Sequence, residues 1–176
     1  MIMLDYPGSN DETIKVWCVA TPTAAAVRTF HGDDTTHRFS ALAVTPDGRR
    51  ILGGTSTIDD GRGDIWVWGF DGTLENTFVG MHHNEMHLTP VQVRAYTCSV
   101  SDIVALPDNA HALSGSRGFT VKLFNINDGA VLRTIGYTAS CLALMPDGLR
   151  FVSGGFDVAC RAHIIEHGLA PVQYRG

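Results

Sequence analysis

Hydrophobic and polar positions alternate with period two in short runs along this chain, and turn residues separate the runs. Three segments superimpose: Ser40-Ala-Leu-Ala-Val-Thr-Pro-Asp-Gly-Arg-Arg-Ile-Leu-Gly-Gly54, Ser101-Asp-Ile-Val-Ala-Leu-Pro-Asp-Asn-Ala-His-Ala-Leu-Ser-Gly115 and Ser140-Cys-Leu-Ala-Leu-Met-Pro-Asp-Gly-Leu-Arg-Phe-Val-Ser-Gly154. Each predicts strand, turn, strand, because Pro presets φ and Gly or Asn tolerates a positive φ. A third strand follows each hairpin. Thr120-Val-Lys-Leu-Phe124 ends 17 residues past Pro107, and Ala159-Cys-Arg-Ala-His163 ends at the same offset from Pro146. Asp64-Ile-Trp-Val-Trp68 ends 22 residues past Pro46, with five extra residues in the loop 55–63. A fourth copy of this strand, Thr13-Ile-Lys-Val-Trp17, stands near the start with no hairpin before it. Weaker strands close the units at Ala26–Phe30, Leu74–Phe78 and Val131–Ile135. β-Branched and aromatic residues at period two favour strands throughout.

From Pro107 to Pro146 is 39 residues, as is Phe124 to His163. Gly8-Ser-Asn-Asp-Glu-Thr-Ile-Lys-Val-Trp17 resembles the stretch leading into the signature Trp of a WD repeat. Ser114-Gly-Ser-Arg-Gly-Phe-Thr-Val-Lys-Leu-Phe124 and Ser153-Gly-Gly-Phe-Asp157 are similar. The period agrees with the ~40–45 residues of WD blades. The resemblance implies an all-β chain of β-propeller blades, each of four antiparallel strands, forming an incomplete ring. One partial propeller domain then covers 1–176. Its blade parts fall at about 8–31, 37–80, 97–136 and 137–168, with an insertion at about 80–96.

The resemblance also implies a buried network linking a turn Asp, a Ser or Thr, the signature Trp and a histidine. Asp11 and Asp157 stand at the turn position, and Gly118 replaces it in the second full blade. Ser114 and Ser153 stand at the Ser position, where the first full blade has Gly53. His37 matches the histidine, and Tyr137 takes its place in the third copy. The Asp after the signature aromatic is absent: Cys18, Gly69 and Asn125 stand there. No blade keeps the whole network, which predicts softer blades.

About three and a half blades fall short of the 4–8 that close a ring. An uncovered blade face of roughly 500 Å² apolar area forfeits ~12 kcal/mol, comparable with the whole stability of a domain, ~5–15 kcal/mol. The expectation is a piece of a longer propeller, or two copies that pair.

Composition narrows the classes. With 44% hydrophobic and 18% charged residues the chain is expected to fold. A net charge of −5 gives no reason to expect nucleic acid or an anionic membrane as partner. No run reaches the ~18 apolar residues of a membrane helix. No signal peptide is read at 1–12. The four cysteines form no C-x-x-C pair. Cys98, Cys141 and Cys160 lie in strand-like runs, where a thiol is expected to act as a small buried hydrophobe. These features predict an intracellular, cytoplasmic protein, with the nucleus left open.

Met81-His-His-Asn-Glu-Met-His87 lies in the insertion. His82, His83, Glu85 and His87 are the candidate zinc ligands, but the spacing is not H-E-x-x-H, and a solvated inter-blade loop is the expected reading. His163 is read as a packed strand residue. Gly61-Arg-Gly-Asp64 spells an adhesion tripeptide at a loop-to-strand junction. Nucleophile elbows and phosphate-cradling loops are absent from the sequence. No catalytic, cofactor or metal residue is therefore assigned.

The function expected is a non-catalytic scaffold for other proteins or peptides. A fragment without independent function and a propeller-based metal-dependent hydrolase are the alternatives, and self-association through exposed blade faces is a further expectation. The resemblance implies docking on the face of the second-to-third strand loops, which hold Arg62, Arg117, Phe119 and Phe156. Aromatics and arginines are what interface hot spots use.

Overall fold

The computed structural model describes residues 2–4, 13–18, 26–31, 37–57, 62–82, 98–155 and 160–165. They form fourteen strands, with no helix among the described residues. The first sheet joins β1 (Ile2–Leu4), β2 (Thr13–Cys18) and β3 (Ala26–His31). The second joins β4 (His37–Val44), β5 (Arg50–Thr57), β6 (Gly63–Gly69) and β7 (Leu74–His82). The third joins β8 (Val100–Ala105), β9 (His111–Ser116), β10 (Val121–Asn125) and β11 (Val131–Ile135). The fourth joins β12 (Cys141–Leu144), β13 (Arg150–Gly154) and β14 (Cys160–Ile164). Every sheet is an antiparallel meander in chain order.

The hairpin turns take the shape their residues dictate. Gly48, Asn109 and Gly148 have φ of 71°, 59° and 66°. Their N–H groups donate to the carbonyls of Thr45, Leu106 and Met145 at 2.8, 3.2 and 2.9 Å. The preceding aspartates accept the next backbone amides: Asp47 from Arg49, Asp108 from Ala110 and His111, Asp147 from Leu149 and Arg150. These bonds favour the ionised carboxyl, which lies below its usual range at Asp47, held first by the Thr45 hydroxyl, and at Asp147, held first by the Leu149 amide. The Asp47 amide donates to Asn109 Oδ1 at 2.9 Å, so two of these turns meet at one end of the sheets.

Bulges recur at matched places. Each third-to-fourth strand pair slips just before the signature aromatic, at Val16/Trp17, Val67/Trp68 and Leu123/Phe124. The inner strands slip at Ser40, between Phe39 and Ala41, and at Ser101, between Val100 and Asp102. An extra residue twists a strand locally and re-aims its side chain.

Three apolar layers fill the spaces between consecutive sheets. Ile14, Val16 and Phe30 of the first sheet pack on Phe39, Ile51, Trp66 and Trp68 of the second. Ala41, Ala43, Leu52, Ile65 and Val67 pack on Val100, Ile103, Ala112, Phe124 and Ile126. Leu113, Val121 and Leu123 pack on Ala139, Leu142, Phe151 and Ile165. Alternate residues of one strand thus serve two different layers, as strand geometry requires.

Three expectations change. The first sheet is not a bare third and fourth strand: β1 precedes them and pairs with β2, Met3 opposite Trp17. Three residues are too few to show an alternation in sequence. Cys98 is buried, but Cys141 and Cys160 are exposed, on the side of the last sheet that no described residue covers. The third correction concerns His82. It ends β7 and is fully buried rather than part of a solvated loop. His83, Glu85 and His87 lie outside the described residues.

Candidate functional site

The inner strands converge at the end of the sheets opposite the Pro-Asp turns. Ser40, Ser101 and Ser140 hold one position in the repeat, six residues before each turn proline. The hydroxyl of Ser40 donates to the Val100 carbonyl at 2.5 Å, and that of Ser101 donates to the Ala139 carbonyl. Around them Ser40, Ser56, Ser99, Val100, Ser101, Arg117 and Ser140 line a cleft of about 300 Å³.

Arg117 reaches the cleft because a tight turn fixes its backbone. Its amide donates to the Ser99 carbonyl at 3.3 Å, and the Ser116 amide to the Thr120 carbonyl at 3.0 Å. The Gly118 amide donates to Ser116 Oγ at 2.9 Å, and that hydroxyl donates to the Cys98 carbonyl at 3.1 Å. Gly118 replaces the turn Asp for a steric reason. A Cβ placed there would lie 2.7 Å from Cys98 Sγ. Burial raises the Cys98 thiol above its usual range, so this sulfur packs rather than reacts.

Of the described lining, the hydroxyls of Ser56, Ser99 and Ser140 and the Arg117 guanidinium are offered to a ligand, those of Ser40 and Ser101 donating within the chain. Such a lining binds oxyanions by charge-assisted hydrogen bonds. A serine becomes a nucleophile only with a base in reach, and the described residues lining this cleft carry hydroxyls, a valine side chain and a guanidinium. Among the described residues no three His, Cys, Asp or Glu side chains gather to hold a metal ion.

Of the four residues expected on the docking rim, three are described. Arg62 and Arg117 are exposed, in the second-to-third strand loops of consecutive sheets. Arg117 lines the cleft, whereas the Arg62 side chain lies beside Gly80 of β7. Phe119 is 40% exposed and holds φ at 64°, left-handed backbone that an aromatic residue adopts at a cost. Phe156 lies outside the described residues. Asp64 of the adhesion-like tripeptide is buried and accepts the Gly80 amide at 2.5 Å, so it serves the strand junction.

Two polar networks stand behind the cleft. His82 Nδ1 lies 2.8 Å from Thr120 Oγ1 and its Nε2 2.7 Å from Ser114 Oγ. This joins the outer strand of the second sheet to the middle of the third. In the last sheet the Ser153 hydroxyl donates to Tyr137 Oη at 2.9 Å, and Tyr137 Oη lies 2.7 Å from His163 Nε2. The His163 ring stacks between Phe151 and Tyr137, at 4.8 and 5.1 Å between centroids. It is a packed strand residue, as its place in the repeat predicts.

Comparison with known proteins agrees with this geometry. Residues 89–125 match the family described as WD domain, G-beta repeat. The chain is 25% identical over 166 residues to Autophagy-related protein 16 of Arabidopsis thaliana. That alignment covers 93% of this chain and 28% of the relative, so the chain corresponds to little more than a quarter of that protein. The family match covers residues 89–125, and the 39-residue period and antiparallel four-stranded meanders are those of propeller blades of the WD type.

Proposed function

We propose that the chain is a non-catalytic, intracellular scaffold that holds an extended segment of a partner protein at the second-to-third strand end of its blades. The partner places a carboxylate- or phosphate-bearing side chain on Arg117, with the hydroxyls of Ser56, Ser99 and Ser140 as further donors, since those of Ser40 and Ser101 already donate within the chain. Exposed Phe119 supplies apolar contact beside it. The observation that carries this reading is the cleft itself: one guanidinium among five serines, at the end of the blades where Arg62 also stands. Rigid sheets leave their loops to carry recognition, and arginine and aromatic anchors dominate binding energies.

The test is affinity capture of a partner with the intact chain, followed by titration of that partner against Arg117→Ala. A loss of roughly tenfold or more, about 1.4 kcal/mol, with unchanged circular dichroism, supports the reading. Unchanged affinity in a folded variant moves the site away from the cleft.

A further inference from the structure

A second arginine stands beside the cleft, on the blade before Arg117. Arg38 of β4 is opposite Ser56 of β5 in the ladder and is exposed. Residues directly opposite one another in an antiparallel pair share one face of the sheet. Here that face is the one turned to the third sheet. Two positions before Ser56, a Cβ on Gly54 would meet Val100 Cβ at 2.7 Å, and Ser56 itself lines the cleft with Ser99 and Val100. The bulge at Ser40 brings Arg38 to this side. Phe39 packs toward the first sheet, whereas Ala41 packs toward the third. With strict alternation from Ala41, Arg38 would face the first sheet, and the extra residue turns it to the third.

Two guanidinium groups and two hydroxyls thus edge one space. Arg38 and Ser56 come from the second blade, Ser99 and Arg117 from the third. The backbone fixes both halves. The Arg117 amide donates to the Ser99 carbonyl at 3.3 Å, and Ser99 is only 6% exposed. Ser40 joins the two blades by donating to the Val100 carbonyl. Among the described residues no carboxylate lines the cleft. Asp102, next in the chain to the lining residue Ser101, accepts the Ile103 and Leu142 amides at 2.9 and 2.6 Å.

Charge and shape decide which oxyanion fits. A carboxylate has one charge and two coplanar oxygens, which a single arginine fork satisfies. A phosphomonoester carries about −1.5 to −2 charge at pH 7 and three acceptor oxygens. Two arginines and two hydroxyls approaching from two blades match the phosphate and would over-supply the carboxylate. We infer that this space is a phosphate-binding site for a phosphoserine or phosphothreonine in an extended segment of the partner, which rests on the Arg117 contact proposed above and narrows it. Arg38 and Arg117 neutralise the phosphate, and Ser56 and Ser99 donate to its oxygens. Exposed Phe119 lies two residues from Arg117, where the flanking residues of the segment pass. Phosphorylation of the partner is then the switch for docking. A net charge of −5 opposes a surface of anionic lipid, which favours one phosphorylated side chain over a bilayer.

The probes are three peptide libraries with random flanks and a fixed central phosphoserine, glutamate or serine, passed over the immobilised full chain. Arg38→Gln, Arg117→Gln and Ser56→Ala are run beside it, each checked by circular dichroism. Arg38 is exposed, so its variant keeps the fold. Phosphoserine peptides should be retained, and the glutamate and serine libraries roughly tenfold or more less well. Each arginine variant should lose roughly tenfold or more of the phosphoserine binding, and Ser56→Ala less than that. Equal retention of glutamate and phosphoserine peptides overturns the inference and leaves an Arg117 contact with a carboxylate standing. Phosphoserine binding that survives Arg38→Gln also overturns it, because the second charge then plays no part. So does stronger retention on vesicles containing phosphatidylinositol phosphates than on the peptides, which assigns the site to a membrane. Retention of none of the libraries overturns it as well, while the Arg117 contact is judged separately by Arg117→Ala against its own captured partner.

Discussion

His82 Nε2 stands 2.7 Å from Ser114 Oγ across the boundary between two sheets, and both side chains are fully buried. The imidazole spans two hydroxyls, Thr120 Oγ1 on one side and Ser114 Oγ on the other. Neither hydroxyl has water to fall back on, so removing one partner leaves a buried polar atom unpaired. Ser114→Ala is expected to cost about 1–3 kcal/mol in urea unfolding. His82→Leu should cost a similar amount, and the double variant less than the sum of the two, because the pair acts as one unit. Strict additivity would show that the two side chains do not support one another.

That histidine is also where the sequence was hardest to read. Its counterparts His37 and Tyr137 stand nine residues before Pro46 and Pro146, but His82 stands 25 before Pro107. The insertion separates it from the blade it stabilises and surrounds it with other polar residues, so its neighbourhood resembles a loop. The Pro-Asp turns and the three repeated strands were legible because a turn needs particular residues at fixed places. The cleft was only half legible. Arg117 and Phe119 were found as loop residues, whereas the serines follow from a bulge that no alternation pattern reveals. The exposure of Cys141 and Cys160 depends on what covers the last blade, a tertiary fact that period-two patterning does not contain.

His163 gives the fold a pH dependence. Burial, then the nearby Arg133 and Arg161 guanidinium groups, push its imidazole below the usual 6.5. Neutral Nε2 accepts from Tyr137 Oη, which itself accepts from Ser153. The unfolded chain therefore binds this proton more readily than the fold does. Stability from this site is complete above pH ~6.5 and falls as the pH drops from there toward the folded value. Urea midpoints for the chain and for His163→Phe, the residue that Phe124 shows the repeat accepts, are expected to converge in slope above pH ~7 and diverge below ~6. Parallel profiles across that range would show that His163 titrates alike in both states.

Gly118 and Cys98 are a matched pair. Placing at this turn the carboxylate that Asp157 carries in the last repeat, by Gly118→Asp, puts Cβ 2.7 Å from Cys98 Sγ and 3.0 Å from Cys98 Cβ. Overpacking of this kind costs about 1–3 kcal/mol. Cys98→Ala removes the nearer atom, so Gly118→Asp should cost less in that background. Thermal unfolding of the four chains measures the difference. An equal cost in both backgrounds would place the strain elsewhere.

Phe119 holds a left-handed backbone at φ 64° with 40% of its surface exposed. L-residues pay roughly 1–2 kcal/mol there and glycine does not. Part of that gain is offset by the larger conformational entropy glycine has when unfolded. Phe119→Gly is thus expected to leave unfolding midpoints unchanged or slightly higher, while partner affinity falls. A strong loss of stability would show that the ring is a structural plug and remove it from the docking surface.

The two ends of the glycine series give the sharpest contrast. Gly54 and Gly154 occupy the same position of the repeat, and neither carries the positive φ that would penalise alanine. On Gly54 a Cβ meets Val100 Cγ1 at 2.5 Å, a branched side chain fixed in a closed layer. Packed interiors yield little to an added methyl, so Gly54→Ala should destabilise by about 1–3 kcal/mol. On Gly154, among the described residues, the same methyl meets only exposed Cys141 Sγ, which can turn aside. The unfolded chain meanwhile loses freedom, so Gly154→Ala should be neutral or stabilising by up to about 1 kcal/mol. Chemical denaturation of both variants reads this directly. If Gly154→Ala cost as much as Gly54→Ala, the space beside Gly154 would be as closely packed as that beside Gly54, and the contrast between the two positions would be refuted.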